Sequence, residues 1–178
     1  MLRIKSVRFL RSGSSFSKKF VGIILFFLLS AFGGVYFSGR IVSVTDGDSL
    51  TFLTNGGKIR KIRLYGVDSP ERKQKGGREA AEFTKSLASF ATISLEDMGT
   101  DAYGRTLDVV TLQDGRILNE ELLKAGHAWV YTRHCKIARC RSWQTLEAKA
   151  RTARLGLWKE KKPLPPWQWR KQKRQNPR

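Results

Sequence analysis

Between Ile41 and Tyr65 the chain offers three short β-prone runs separated by two turn signals, which commits its start to an antiparallel meander. Ile41-Val42-Ser43-Val44-Thr45 is rich in β-branched residues, Asp46-Gly47-Asp48 supplies turn chemistry, and Ser49 to Thr54 alternates apolar and polar positions. Asn55-Gly56-Gly57 is a strong hairpin signal into Lys58–Tyr65, where Ile59, Ile62 and Leu64 alternate imperfectly among basic residues.

A helix is predicted next. Ala80, Phe83, Leu87 and Phe90 form an apolar stripe, with Glu79 and Glu82 in the first turns. Strands at Thr92–Leu95 and Thr106–Leu112 come after it, then a short helix carrying Leu118 and Leu122 and stopped by Gly126. A last helix is expected to carry Trp143, Leu146, Ala150, Ala153 and Leu157. Five short strands with a helix between the third and fourth is the layout of a small closed barrel of OB type. The fold class is therefore α+β: a five-stranded OB-type β-barrel packed with about three helices and preceded by one hydrophobic N-terminal segment.

The charge is distributed unevenly. Of 34 Lys and Arg among 178 residues, six lie in residues 1–19 with no acid, and eight lie in 159–178 beside Glu160 alone. The globular stretch 40–158 is thus only moderately basic, although that still suits a polyanionic partner. Residues 20–37 carry no charge, and about 18 apolar residues is the short end of what spans a bilayer. The basic flank keeps the amino end cytoplasmic, so export of the globular stretch is expected. The segment is either a membrane anchor, with the domain outside the cytoplasm, or the core of a cleaved signal that releases a periplasmic or secreted protein. The basic tail 159–178 holds four prolines, so no helix is expected there. Trp167 and Trp169 can dock back on the domain, while the chain from Arg170 onward is expected to be disordered.

Acids in a basic body need an account. Asp46 and Asp48 flank Gly47, and Asp68 and Glu71 flank Ser69-Pro70. Carboxylate oxygens are hard ligands suited to Ca²⁺ or Mg²⁺, but no EF-hand is present, because Leu50 and Gly57 stand where ligands are required. A cation site must therefore be assembled by folding. Arg63 and Arg105 offer planar paired donors that match a phosphate. Two arginines and a carboxylate-held cation are what a phosphodiester transition state needs, since charge grows on the phosphoryl oxygens.

The ordered set Asp48-Ser49-Leu50, Arg63-Leu64-Tyr65-Gly66-Val67-Asp68-Ser69-Pro70-Glu71 and Asp101-Ala102-Tyr103-Gly104-Arg105 resembles the thermonuclease family typified by staphylococcal nuclease. The resemblance covers residues 40–158. It implies a Ca²⁺-dependent hydrolase of DNA and/or RNA phosphodiesters that leaves 3′-phosphate products. By that resemblance Asp48, Asp68 and the Ser69 carbonyl are the metal ligands, and Asp46 stands behind them. Glu71 is the base or water-positioning group, Arg63 and Arg105 clamp the scissile phosphate, and Tyr103 holds the phosphate end of the substrate. Trp129 and Tyr131 compete for the base-stacking position. Ser49 and Ser69 stand where threonine is usual, and Ala102 replaces a basic residue. The rival reading is a catalytically silent, membrane-tethered OB-type nucleic-acid binder, which would have no use for the acids and arginines. A monomer is expected.

Cys135 and Cys140 are expected to form a disulfide, because export places them in an oxidising compartment and four residues make a closable loop. A zinc site with His127 and His134 has the right ligand types, yet its spacing fits no usual finger. Two free thiols are the third possibility.

Overall fold

A computed structural model of the chain describes residues 36–89 and 91–176. The chain divides into Met1–Gly34, outside the described residues, and a unit Val35–Arg178. The basic flank 1–19, residues 20–35 of the uncharged run and Phe90 of the expected stripe all lie outside the described residues. Among the described residues no helix is long and apolar enough to cross a membrane.

Strands β1 (Tyr36–Asp46), β2 (Ser49–Thr54), β3 (Ile59–Leu64), β5 (Thr92–Thr100) and β6 (Thr106–Leu112) close into a barrel in the order β1-β2-β3-β6-β5. This is the five-stranded barrel of the α+β layout. The first strand begins earlier than its β-branched run suggests, so Tyr36 and Phe37 at the end of the uncharged run belong to the barrel. There Phe37 lies under the Arg60 guanidinium at 3.9 Å and pairs in register with Leu95. All neighbours are antiparallel except β3 and β6, whose parallel seam pairs Ile62 with Thr106, Arg63 with Leu107 and Leu64 with Asp108. A second, two-stranded sheet, β4 (Val67–Asp68) with β7 (Trp129–Val130), had no signal in the sequence, because two-residue strands show no periodicity.

Helix α1 (Gly77–Ala88) packs on β1, α2 (Leu118–Lys124) and α3 (Arg139–Thr152) pack together, and α4 (Pro166–Gln175) lies near the C-terminus. The core joins Phe52, Ile62, Leu64, Leu95, Val109 and Val110 of the barrel to Leu118, Leu122 and Trp143 of the helices. In α1 the buried face is Ala80, Ala81, Thr84 and Ala88, while Phe83 and Leu87 are only half-buried. Small residues face inward because α1 presses on the Asp46–Asp48 turn. Thr84 Oγ1 donates to the Gly47 carbonyl at 2.7 Å, and a Cβ on Gly47 would sit 2.9 Å from that of Ala80.

Two expectations are corrected at the C-terminal end. Leu157 does not continue the last helix: α3 stops at Thr152, and Arg154 (φ 51°) and Gly156 (φ 49°) turn the chain into a 3₁₀ helix, Gly156–Lys159. The tail is also not helix-free. Pro166 occupies the first turn of α4, where the missing N–H would have no intrahelical partner, so proline starts this helix instead of breaking it. Pro177 and Arg178 lie outside the described residues.

Asp108, on β6, is a buried acid. Its Oδ2 accepts from Thr106 Oγ1, its Oδ1 has no partner, and burial raises its pKa to about 6. In the unfolded chain the same carboxyl titrates at about 4. Between those values the folded chain keeps a proton that the unfolded chain has released, so this group removes stability as pH rises through the window. Asp108→Asn should therefore gain stability over wild type by about 2 kcal/mol more at about pH 7.5 than at about pH 4.5. Thermal denaturation of both proteins at the two pH values measures it, and an equal difference at both would show that Asp108 titrates normally.

Candidate active site

One end of the barrel gathers the acids. Asp48 comes directly after the β1–β2 turn, Asp68 ends β4, and Glu71 lies in the loop that leads to α1. Asp48 and Asp68 are fully buried, and Glu71 is partly exposed. Asp48 is held tightly: its Oδ2 accepts from the Ser69 amide at 2.5 Å, and its Oδ1 accepts from Arg63. Ser69 Oγ donates to the His127 carbonyl at 2.9 Å, which fixes the strand pair beneath. Asp46, half-buried, accepts weakly from the Asp48 amide at 3.4 Å.

Arg63, from β3, bridges Asp48 and Asp68, one nitrogen to each carboxylate. Burial pushes the Asp48 carboxyl well above the usual carboxylate range; Arg63 opposes this, while Asp46 and Asp68 add to it. Such crowding of like charge in a dry place is what a bound cation relieves. Arg105 precedes β6 across the seam. It is tied to Asp101 at 2.7–2.8 Å and brings one nitrogen to 3.4 Å from Ser49 Oγ, beside Asp48. Tyr103 is 86% exposed, with the Arg105 guanidinium 5.7 Å from its ring centre, at the rim of the site.

The two aromatic candidates differ in exposure, and Trp129 is the enclosed one. It is buried, edge-on to Trp158 at 5.1 Å and to Trp167 at 6.4 Å, and belongs to a small core with Ala150 and Leu157. Tyr131 is half-buried and stacks on Trp167, with centroids 5.5 Å apart and planes 11° apart. Cys135 and Cys140 are bonded (Cα–Cα 5.8 Å), and Cys135 abuts Gly66, where a Cβ would meet its Sγ at 2.7 Å.

The structure adds a residue that sequence reasoning missed. Arg170 of α4 reaches back to the acids, with Nη1 at 2.8 Å from Glu71 Oε1 and 3.2 Å from Asp68 Oδ1, and Nη2 at 2.7 Å from Asp68 Oδ2. The spacing Trp167, Arg170, Arg174 lies on one helical face and would have marked it, had the prolines not argued against a helix.

No group of three or more His, Cys, Asp or Glu side chains converges as a preformed metal cluster among the described residues. The donor chemistry nonetheless fits a hard cation, since every side-chain donor is a carboxylate and two of the three are fully buried. Two guanidinium groups, of Arg63 and Arg170, pair with these carboxylates.

The staphylococcal nuclease homologue family matches residues 61–160, a stretch that includes Arg63, Asp68, Glu71 and Arg105 but ends before α4. An uncharacterized endonuclease of Escherichia coli O157:H7 is 34% identical over 156 residues, 88% of this chain and 99% of its own. An uncharacterized endonuclease of Haemophilus influenzae is 34% identical over 154 residues, 86% of this chain and 84% of its own. The micrococcal nuclease of Shigella flexneri is 34% identical over 143 residues, 76% of this chain and 81% of its own. In these three relatives the similarity spans four fifths or more of the relative's own length.

Proposed function

The chain belongs to the staphylococcal nuclease homologue family and is a phosphodiester hydrolase of that kind; from that premise we propose that it is an exported, Ca²⁺-dependent nuclease acting on DNA and/or RNA and leaving 3′-phosphate ends. The observation that carries the reading is the joint placement of Asp48, Asp68 and Glu71 at one end of the barrel, with Arg63 among them and Arg105 beside Asp48.

Asp48, Asp68 and the Ser69 carbonyl would hold the ion. When bound, Ca²⁺ supplies charge for a phosphate oxygen and a place for a water. Glu71 accepts the proton of the attacking water, and its partial exposure lets it do so from the substrate side. Arg63 and Arg105 donate to the phosphoryl oxygens as charge builds there. Arg63 commits both its nitrogens to Asp48 and Asp68, so its work on phosphate requires a cation to take over those carboxylates. Tyr131 offers the stacking face for a base, and Tyr103 meets the phosphate end at the rim. Arg72, Lys73, Lys75 and Arg78, all exposed, line the approach for a polyanion.

Export rests on the uncharged run 20–37 behind its basic flank, read as anchor or signal core, with Tyr36 and Phe37 at its end already in β1. We read the chain as a monomer whose membrane contact, if the segment is retained, is made by that run. The test is incubation of the full chain in detergent with single-stranded DNA in Ca²⁺ and in EDTA, then end analysis. Cleavage in Ca²⁺ with phosphatase-sensitive 3′ ends is expected, and at least a tenfold drop in EDTA. Binding without cleavage in Ca²⁺ would instead support the silent binder.

A further inference from the structure

The outermost helix is positioned by the chain before it and holds little of its own. Gln74 Nε2 donates to the Leu164 carbonyl at 2.6 Å, Lys75 pairs with Glu160 at 2.8 Å, and Pro166 is buried. Beyond Pro166 no residue of α4 is fully buried. Trp167, Trp169 and Arg170 are half-buried. Trp167 lies flat on Tyr131 and edge-on to Trp129, and Arg170 forks onto Asp68 and Glu71. A helix with so little apolar burial sits at the low end of local stability, where a competing ligand can open it.

What these side chains occupy matters more than how tightly they hold. Arg170 puts a positive, planar donor on the carboxylate of Asp68 and on the carboxylate assigned as base, where a cation and its water would sit. Trp167 covers the ring assigned to base stacking. One helix thus fills both the ion's place and the base's place at once, 99 and 102 residues along the chain from the acids it pairs with. Tyr131, Arg133, Trp167, Arg170, Lys171 and Arg174 line a cleft of about 460 Å³ where the helix meets the body, basic and aromatic as a strand-binding cleft would be. Lys173, further along the helix, is exposed, with its Nζ 5.3 Å from the Trp169 ring centre, and does not line that cleft.

We propose that α4 is an internal occupant of the nuclease site, with Arg170 in the cation's seat and Trp167 on the base's stacking face, so that a divalent cation and a single strand each bind in competition with it. This rests on the assignment of Asp48 and Asp68 as ion ligands and of Glu71 as base. Either ligand that displaces the helix prepares the site for the other, so cation and strand bind with positive linkage. The free chain binds its ion with an affinity lowered by the fraction of molecules in which the helix is open.

The full chain, Arg170→Ala and Lys173→Ala are to be compared by calorimetric Ca²⁺ titration and by amide hydrogen exchange of residues 166–175 with and without Ca²⁺. Arg170→Ala is expected to bind Ca²⁺ roughly tenfold tighter than wild type, Lys173→Ala no tighter, and Ca²⁺ to speed exchange across α4 in the wild type. Equal affinities in wild type and Arg170→Ala would overturn the proposal. So would equal tightening by Lys173→Ala, since loss of any positive charge would then explain the gain. Absence of Ca²⁺ binding in all three proteins would overturn the calcium reading alone. The occupation of the site by α4 is then decided with single-stranded DNA in place of Ca²⁺: faster exchange across α4 in the wild type upholds it, and unchanged protection rejects it.

Discussion

Glu71→Gln should lower the cleavage rate by about 10²–10⁴-fold, the usual cost of a lost general base. The substitution isolates chemistry from architecture. Glu71 is placed by its backbone: its carbonyl accepts from the Gln74 amide at 2.7 Å, and its own amide donates to Gln74 Oε1 at 3.3 Å. Glutamine has the same shape and can still accept from Arg170, so the fold and the α4 contact survive while the basic oxygen is lost. Arg105→Ala should cost about 10²–10³-fold, as for loss of one preorganised donor to developing charge. Its side chain is partly exposed and its salt bridge to Asp101 lies at the surface, so little stability is at stake. Single-turnover cleavage with circular dichroism on the same samples decides both. Near-wild-type turnover in either variant, with unchanged spectra, would remove that residue from the catalytic set.

Gly77→Ala is expected to cost on the order of 10²-fold in turnover through position alone, the scale of a displacement of about 1 Å at a reacting group. A Cβ on Gly77 would lie 1.9 Å from the Glu71 carbonyl oxygen and 3.1 Å from the Arg72 Cα. These neighbours are backbone atoms and cannot swing aside, so the 71–76 loop must move and carry Glu71 with it. Helix propensity works the other way: alanine favours the helix over glycine by about 1 kcal/mol, so α1 itself should not melt. Reduced kcat with an intact circular dichroism spectrum is the expected result. Unchanged kcat would show that the loop yields without moving its carboxylate.

The parts of this fold that sequence made legible are those with short-range causes. Asn55-Gly56-Gly57 and Asp46-Gly47-Asp48 announced their hairpins because turn geometry is decided by the turn residues themselves. Closure of the barrel could be read from element order. The buried face of α1 was legible in part: Ala80 is buried, and Phe83 and Leu87 pack against the core. The close approach over Gly47 also demands the small residues Ala81, Thr84 and Ala88, which hydrophobic spacing does not mark. Leu157 fell on the helical period by coincidence, since the reversal at Arg154 and Gly156 leaves no mark in hydrophobic spacing. The acids and arginines were legible only as an ordered set. Which of Trp129 and Tyr131 faces outward was not, because that depends on Trp158 and Trp167 arriving from far along the chain. Arg170 escaped for the same reason, with the added misdirection of its prolines.

The parallel seam between β3 and β6 has a consequence for recombination. Arg63 is paired in register with Leu107, two residues past Arg105, across only three matched positions. A slip of one residue there would turn one arginine to the opposite face. A chimera with a related barrel that took Ile59–Leu64 from one parent and Thr106–Leu112 from the other would have to re-create that register from foreign side chains. Breakpoints outside the block 59–112 leave the pairing intact. The interval from β3 to β6 therefore behaves as one heritable cassette, to be shuffled whole or not at all.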